Sequence, residues 1–487
     1  MSDNLAKKLF TKGLEFFKNK KLEQAAQIFK EILTINPKNV NSLIILSQIY
    51  RLKNNIKEYE KLLRKIIELD KNNYQSLNNL ALLYKDNNSM EKAEYYFKKT
   101  IEKNDNYLKG VFNLGLLYEE KGNLKDAEDL YKKALKIETL PSIYFNILRI
   151  NQNYIDKINL DHIKYISESL DNNLKERAYA YFILAIKERR EKNIDNEIKY
   201  LEIGHQLFMN SDKNYLKSTD YWINKIPKIF LKKLNYSKLK NEENNLTNLN
   251  PIFVVGLPRS GTTLVETLIS SQKNKIKNYG EISVIPKSIG DYLMTKNVKN
   301  IKIDLPFIKR DIIKSYNKII NSKKKIPISF VDKTLENIFF IDIIQKIFPR
   351  SKIIICERNY FHNFVAIFQQ CLAGLPWTHN KEFVLKYIEN FNSILCKIKK
   401  KKCDNILFVN LIELTNSPVI NSKKIFKFCN LAWDKSVLKF SERDDLIIKT
   451  ASNIQIRKGI LKYDNLKFKE YEKPFKKYFE KIKTLEN

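Results

Sequence analysis

No stretch of this 487-residue chain is apolar for long enough to cross a bilayer, because charged residues interrupt every candidate. The N-terminus, Met1 to Lys8, has none of the apolar core that a secretory signal needs. Cysteine is scarce: Cys356, Cys371, Cys396, Cys403 and Cys429 all fall in the second half, odd in number and without a Cys-x-x-Cys pair. That excludes a disulfide framework and fits a reduced, cytoplasmic protein with buried thiols. Only four histidines are present. His362 and His379 are paired with no nucleophile and show no metal-ligand spacing, so no metal is expected. Trp377 and His379 remain candidates only for lining a substrate pocket. Acidic residues are also few, 55 against 88 Lys and Arg, giving a formal net charge of +33. The surplus is spread among many Asn and Ile residues, as AT-rich codons would give, and is not gathered on one face. Its main runs, Lys323 to Lys325 and Lys399 to Lys402, read as solvated surface, and no nucleic-acid partner is expected.

What is present first is a period. Gly13, Ser47, Ala81 and Gly115 stand 34 residues apart, and three residues after each come Phe16, Tyr50, Tyr84 and Tyr118. A second small position holds Ala25, Ala93 and Ala127, with Tyr59 as the exception, followed by Phe29, Leu63, Phe97 and Tyr131. Small residues let two amphipathic helices cross closely while aromatics fill the holes. The pattern resembles the tetratricopeptide repeat, in four copies over residues 1–141. Beyond Pro141 the signature weakens, and residues 142–240 read as degenerate helical hairpins that cap the array. The polar segment 241–250 reads as a linker.

From residue 251 the pattern changes. Ile328 to Val331, with Pro327 just ahead of it, Lys352 to Cys356 and Asn405 to Val409 read as short buried strands. Helical segments 337–348, 361–372 and 382–399 separate or follow them, which argues for a parallel sheet. The segment opens with Pro251-Ile-Phe-Val-Val-Gly-Leu-Pro-Arg-Ser-Gly-Thr-Thr263. This is a strand, a tight glycine-containing loop and a helix N-terminus, an arrangement that aims backbone N–H groups at an anion. Gly256 and Gly261 keep the spacing of a nucleotide triphosphatase loop, but Thr262 stands where the phosphate-binding lysine would be, and the cation is Arg259 inside the loop.

The Pro-Arg-Ser-Gly-Thr-Thr string resembles the phosphosulfate loop of sulfotransferases that use 3′-phosphoadenosine 5′-phosphosulfate (PAPS), including bacterial enzymes with tetratricopeptide repeats and the tyrosylprotein sulfotransferases. Further segments match in order. Gly280-Glu281 stands where the family places a general base. Asp332-Lys333 ends a strand where its lysine holds the bridging oxygen. Phe348-Pro349 through Lys352-Ile353-Ile354 leads to Arg358, which implies a 3′-phosphate ligand. Ser452 with Gln455, and Arg457-Lys458-Gly459, match the late segments. Four of eleven glycines fall at motif positions. Two positions depart from the pattern: Ala366 replaces the serine eight residues after Arg358, and Tyr360 replaces a proline.

The resemblance implies an α/β P-loop-like domain over residues 251–487, without metal, transferring a sulfuryl group from PAPS to a hydroxyl or amine. Arg259, Ser260, Gly261, Thr262 and Thr263 would hold the phosphosulfate. Arg358, Arg457, Lys458 and Gly459 would hold the 3′-phosphate. Glu281 would take the acceptor proton while Lys333 and Ser452 steady the leaving group. The acceptor stays open between a protein tyrosine presented by the repeats and a small molecule or glycan, as does homodimerisation. Two alternatives stand beside this: an inactive repeat scaffold and a nucleotide kinase, the latter disfavoured by the absent loop lysine.

Overall fold

The computed structural model describes every residue except 1, 172, 233, 238–248, 272–275, 295–301, 321–327, 444 and 487, together with the side chains of residues 2–4, 302 and 328. Pro327, the 323–325 lysine run and residues 241–248 of the expected linker therefore lie outside the described residues. The chain divides into two compact units, Met1–Thr139 and Leu140–Asn487.

The first unit is all helical: α1 (Ser2–Lys18), α2 (Leu22–Ile35), α3 (Val40–Leu52), α4 (Ile56–Leu69), α5 (Tyr74–Asp86), α6 (Met90–Lys103), α7 (Leu108–Lys121) and α8 (Leu124–Ile137). They form four hairpins. The small–aromatic pairing is steric: a Cβ on Gly115 would stand 2.7 Å from the Tyr131 ring, which is fully buried. Asparagine, so frequent here, caps several of these helices. The side chains of Asn39, Asn55 and Asn73 accept hydrogen bonds from the backbone N–H groups of Ser42, Glu58 and Ser76.

The second unit begins with α9 (Pro141–Ile150), α10 (Leu160–Glu168), α11 (Leu174–Arg190) and α12 (Ile194–Asn210), and continues through shorter helices to Phe230. Its strands among the described residues are β1 (Asn235–Tyr236), β2 (Leu249–Gly256), β3 (Lys277–Asn278), β4 (Lys302–Ile303), β5 (Ile328–Asp332), β6 (Lys352–Glu357) and β7 (Ile406–Asn410). β1 and β4 pair by themselves, and the other five form a parallel sheet in the order β3-β5-β2-β6-β7. β2 starts at Leu249, inside the segment read as linker.

Both faces of the sheet are covered, as parallel strands require. Phe253 and Val255 face one core with Phe330, Ile353 and Ile355, and this core is continuous with Phe182, Leu201 and Phe208 of α11 and α12. Ile252 and Val254 face the other, with Leu264, Leu268 and Phe426. Helices at Ile341–Ile347, Tyr360–Phe368 and Lys381–Lys401 follow the expected order. The first is preceded by a tighter 3₁₀ turn, Leu335–Phe340. The second ends at Phe368, four residues before the expected end. Cys356 and Cys429 are buried, but Cys396 is exposed, so not every thiol is shielded. Among the described residues no helix is long and apolar enough to cross a membrane.

Candidate active site

The loop between β2 and the helix Thr262–Ile269 sits at the carboxyl end of the central strand. Its backbone turns through two left-handed residues, Arg259 (φ 68°) and Gly261 (φ 96°). A Cβ on Gly261 would stand 2.7 Å from Leu411 Cδ1, and one on Gly256 would stand 2.8 Å from the Cys356 carbonyl oxygen. Glycine is thus required at both. Arg259 tolerates its strained backbone, a cost of about 1–3 kcal/mol, because it is anchored on three sides. Its Nη1 donates to Ser452 Oγ at 2.7 Å and its Nη2 to Gln455 Oε1 at 2.7 Å, while its carbonyl accepts from Arg358 Nη1 at 2.9 Å. Ser260 Oγ and Arg259 Nε are buried without a partner. Each such group costs about 1–3 kcal/mol unless something binds it, which suits a loop made to receive an anion. Thr262 and Thr263 are buried, and Thr263 Oγ1 lies 3.2 Å from Thr450 Oγ1.

Beside the loop lies a cavity of about 520 Å³. Among its described lining residues Arg189, Arg259, Arg358, Lys462 and Lys467 are cationic and Asp464 alone is acidic. Crowding of like charge is visible in the titration of these groups. Burial and then the charge of Arg358 pull Arg259 down to about 10. Burial and then Arg358, Arg259 and Arg189 pull Lys467 down. Cations thus outnumber carboxylates along the described lining, an excess that favours an anion in the cavity. Arg358 is fixed by donating Nε to Tyr463 Oη at 2.8 Å, with its guanidinium 5.0 Å from the Tyr463 ring and 5.4 Å from the Phe468 ring. Tyr463 Oη also lies 2.6 Å from His362 Nδ1, and burial with the Arg358 charge brings His362 down to about 4.

A second cluster stands where β5 ends. Lys333 is 1% exposed, and its Nζ lies 2.5 Å from Glu281 Oε1 and 3.8 Å from Glu266 Oε2. Burial acts to lower the Lys333 pKa, but the two carboxylates outweigh it and the net direction is up. Glu266, on the loop's own helix, is 4% exposed, and burial lifts it to about 7 against the pull of Lys333. Asp332 is fully buried, accepting from Tyr316 Oη at 2.6 Å and from the Thr334 N–H at 2.9 Å, so it orients the strand end. Gly280 (φ 69°) turns the chain, and its carbonyl accepts from the Lys333 N–H at 3.2 Å, which brings Glu281 to the lysine.

The structure thus joins Glu281 to Lys333, and joins Arg259, Thr263, Arg358, Ser452 and Gly459 around one cavity. It does not bring Arg457 or Lys458 there. Arg457 donates to Asn453 Oδ1 at 2.9 Å and to the Leu446 carbonyl at 2.6 Å, and Lys458 is exposed. Ala366 lines the cavity and offers no hydroxyl. Tyr360 donates its N–H to Glu486 Oε1 at 2.5 Å, a bond that the family's proline could not make. Trp377 and His379 are core residues: Trp377 stacks on Tyr387 at 3.8 Å, and His379 Nδ1 lies 2.8 Å from His205 Nδ1. Arg189, Glu266, Tyr463 and Lys467 were not singled out from sequence. Only Glu266 carried a signal, standing four residues after Thr262 on the same helical face. Among the described residues no group of His, Cys, Asp and Glu is arranged to hold a metal.

Comparison with known proteins agrees with this layout. Residues 251–435 match the profile of the sulfotransferase family. Residues 8–39, 74–105 and 109–139 match tetratricopeptide-repeat profiles. The chain therefore carries a sulfotransferase-family domain behind tetratricopeptide repeats. An uncharacterised protein of Aquifex aeolicus (strain VF5) is 25% identical over 312 residues, which is 61% of this chain and 40% of that protein. The chain thus matches well under half of that relative's length. Among solved structures, Pseudomonas aeruginosa pilF is 17% identical with a TM-score of 0.35, covering 41% of this chain and 90% of its own. A tetratricopeptide-repeat protein from Parabacteroides merdae is 20% identical with a TM-score of 0.31, covering 44% and 96%.

Proposed function

We propose that the chain is a PAPS-dependent sulfotransferase acting on a hydroxyl or amine. The observation that carries this reading is the cation-rich cavity set against a loop whose buried Ser260 Oγ has no partner. A donor with a phosphosulfate at one end and a phosphomonoester at the other presents the charge that such a cavity lacks.

In this reading the loop amides and Arg259 hold the phosphosulfate, with Thr262 and Thr263 beside them, and Arg358 meets the phosphomonoester. Ser452 acts through Arg259, whose guanidinium it orients, and is a positioning residue. The acceptor oxygen or nitrogen bonds to sulfur as the sulfur–oxygen bond to the 5′-phosphate breaks. The acceptor's proton passes to Glu281, whose side chain is 45% exposed and open to a substrate. Lys333, buried and cationic, supports negative charge on the departing phosphate oxygen. The protein's own cations carry the charge compensation at each point named. The repeats offer a surface for a protein partner, so a peptide acceptor is the first to screen, by mass spectrometry of sulfated products.

Titration calorimetry tests the donor. Adenosine 3′,5′-bisphosphate, the product of the donor, is expected to bind well ahead of ATP with magnesium. Equal or tighter binding of magnesium ATP would sink the proposal in favour of a nucleotide kinase.

A further inference from the structure

The helical hairpin α11–α12 lies ahead of the segment that matches the sulfotransferase family, yet it reaches the cavity. Arg189, near the end of α11, is one of the lining residues. Its Nη2 is buried and makes no hydrogen bond, while its Nε is held by Glu197 Oε1 at 2.6 Å. Glu197, on α12, is fully buried, and two further donors lock it. Tyr471 Oη donates to its Oε2 at 2.6 Å and Gln369 Nε2 to its Oε1 at 3.0 Å. Gln369 Nε2 also bonds Tyr471 Oη at 2.8 Å.

Burying a carboxylate costs several kcal/mol unless it is paired and fully hydrogen-bonded. Glu197 meets that condition only through groups drawn from three separate parts of the unit. The arrangement holds the guanidinium of a cavity-lining arginine in place through Glu197 and leaves its buried Nη2 without a hydrogen bond. Such a fork is suited to a phosphate oxygen. The wall it occupies is informative. Gln369 follows Ala366 by three residues at the end of one helix, and both line the cavity. Arg189 and Ala366 thus line the same cavity, where Ala366 offers no hydroxyl. Lys467 is close enough for the Arg189 charge to depress its titration, so the two cations share this corner.

We infer that Arg189, with Lys467 beside it, binds the donor's 3′-phosphate in place of the hydroxyl that Ala366 lacks. The inference rests on the donor reading above and extends it: the helical hairpin is part of the active site. Arg457 and Lys458, directed elsewhere, are not needed for this contact.

The test compares two ligands that differ only in the 3′-phosphate, adenosine 3′,5′-bisphosphate and adenosine 5′-monophosphate, by calorimetry on the full chain. Arg189→Gln should weaken the bisphosphate by about 10- to 100-fold, as for loss of a charge-assisted contact, and leave the monophosphate unchanged. Lys467→Ala should shift the same ratio in the same direction. Because Arg189→Gln strands the Glu197 carboxylate, the double variant Arg189→Gln/Glu197→Gln keeps a neutral hydrogen-bonded pair, and it decides the question if the single variant does not fold. A preference for bisphosphate that survives in these variants would overturn the inference. So would an equal loss for both ligands, or a change confined to acceptor KM. A wild-type chain with no preference for the bisphosphate would instead overturn the donor reading itself, and this inference with it.

Discussion

Replacing Glu266 by Gln offers a quantitative test of the site's electrostatics. Burial lifts this carboxyl from 4.5 to about 7 despite the nearby Lys333 ammonium. Between those two values the folded state holds a proton that the unfolded state has released. Stability contributed by the group is therefore intact below pH 4.5, falls as pH rises to about 7, and is flat above. At about 1.4 kcal/mol per pH unit, the loss is on the order of 3 kcal/mol. Glutamine has nearly the same shape and no such titration. The variant should match the wild type near pH 5, exceed it increasingly up to about pH 7, and keep that margin to pH 8. The unit Leu140–Asn487 has about 350 residues, and at about 2.1 cal/mol/K per residue the difference becomes roughly 5 °C in Tm. All three tryptophans, Trp222, Trp377 and Trp433, lie in that unit, so tryptophan emission during thermal melting follows it without interference from the repeats. Parallel curves for variant and wild type from pH 5 to 8 would refute the assignment of Glu266 as a buried carboxyl raised by desolvation.

Removing Lys333 as Lys333→Ala should slow turnover by about 100- to 1000-fold, the effect of losing one charge-stabilising donor; an unchanged kcat would take it out of the mechanism. Gly261→Ala places a Cβ against Leu411 and forces an unfavourable φ, so melting of the same unit should drop by about 1–3 kcal/mol and donor affinity should fall with it. Retention of both would mean the loop relaxes freely. Tyr463→Phe leaves Arg358 Nε without its acceptor and should weaken adenosine 3′,5′-bisphosphate by about 3- to 10-fold in calorimetry. Full affinity would show that the phenol does not position Arg358.

What sequence could reveal was what is local. The repeat array was readable because each small–aromatic pair recurs within one hairpin, as Gly115 and Tyr131 do. The strand, loop and helix at 251–269 were readable because the three pieces are contiguous, and the place of Lys333 because a short buried apolar run ends just before it. Boundaries were less legible. Leu249 and Asn250 join β2 through pairing with Ile328 and Ser329, a partner that polarity alone does not announce. Arg457-Lys458-Gly459 reads as a cationic grip, but a short helix turns the guanidinium onto Asn453 and Leu446 and leaves only the glycine at the cavity. Arg189 and Lys467 were hidden for the opposite reason. In a lysine-rich chain one more cation carries no signal, and the carboxylate that aims Arg189 is itself held by a tyrosine 274 residues away.

The break after Thr139 has a consequence for how such a chain can be recombined. Exchanging everything before it would leave every described residue lining the cavity in place. A cut at the start of β2, where the family resemblance begins, would remove the hairpin that carries Arg189 and take away one part of the cavity lining. Any excised or transplanted version should therefore begin at Leu140 and not at the family boundary, so that the lining stays whole.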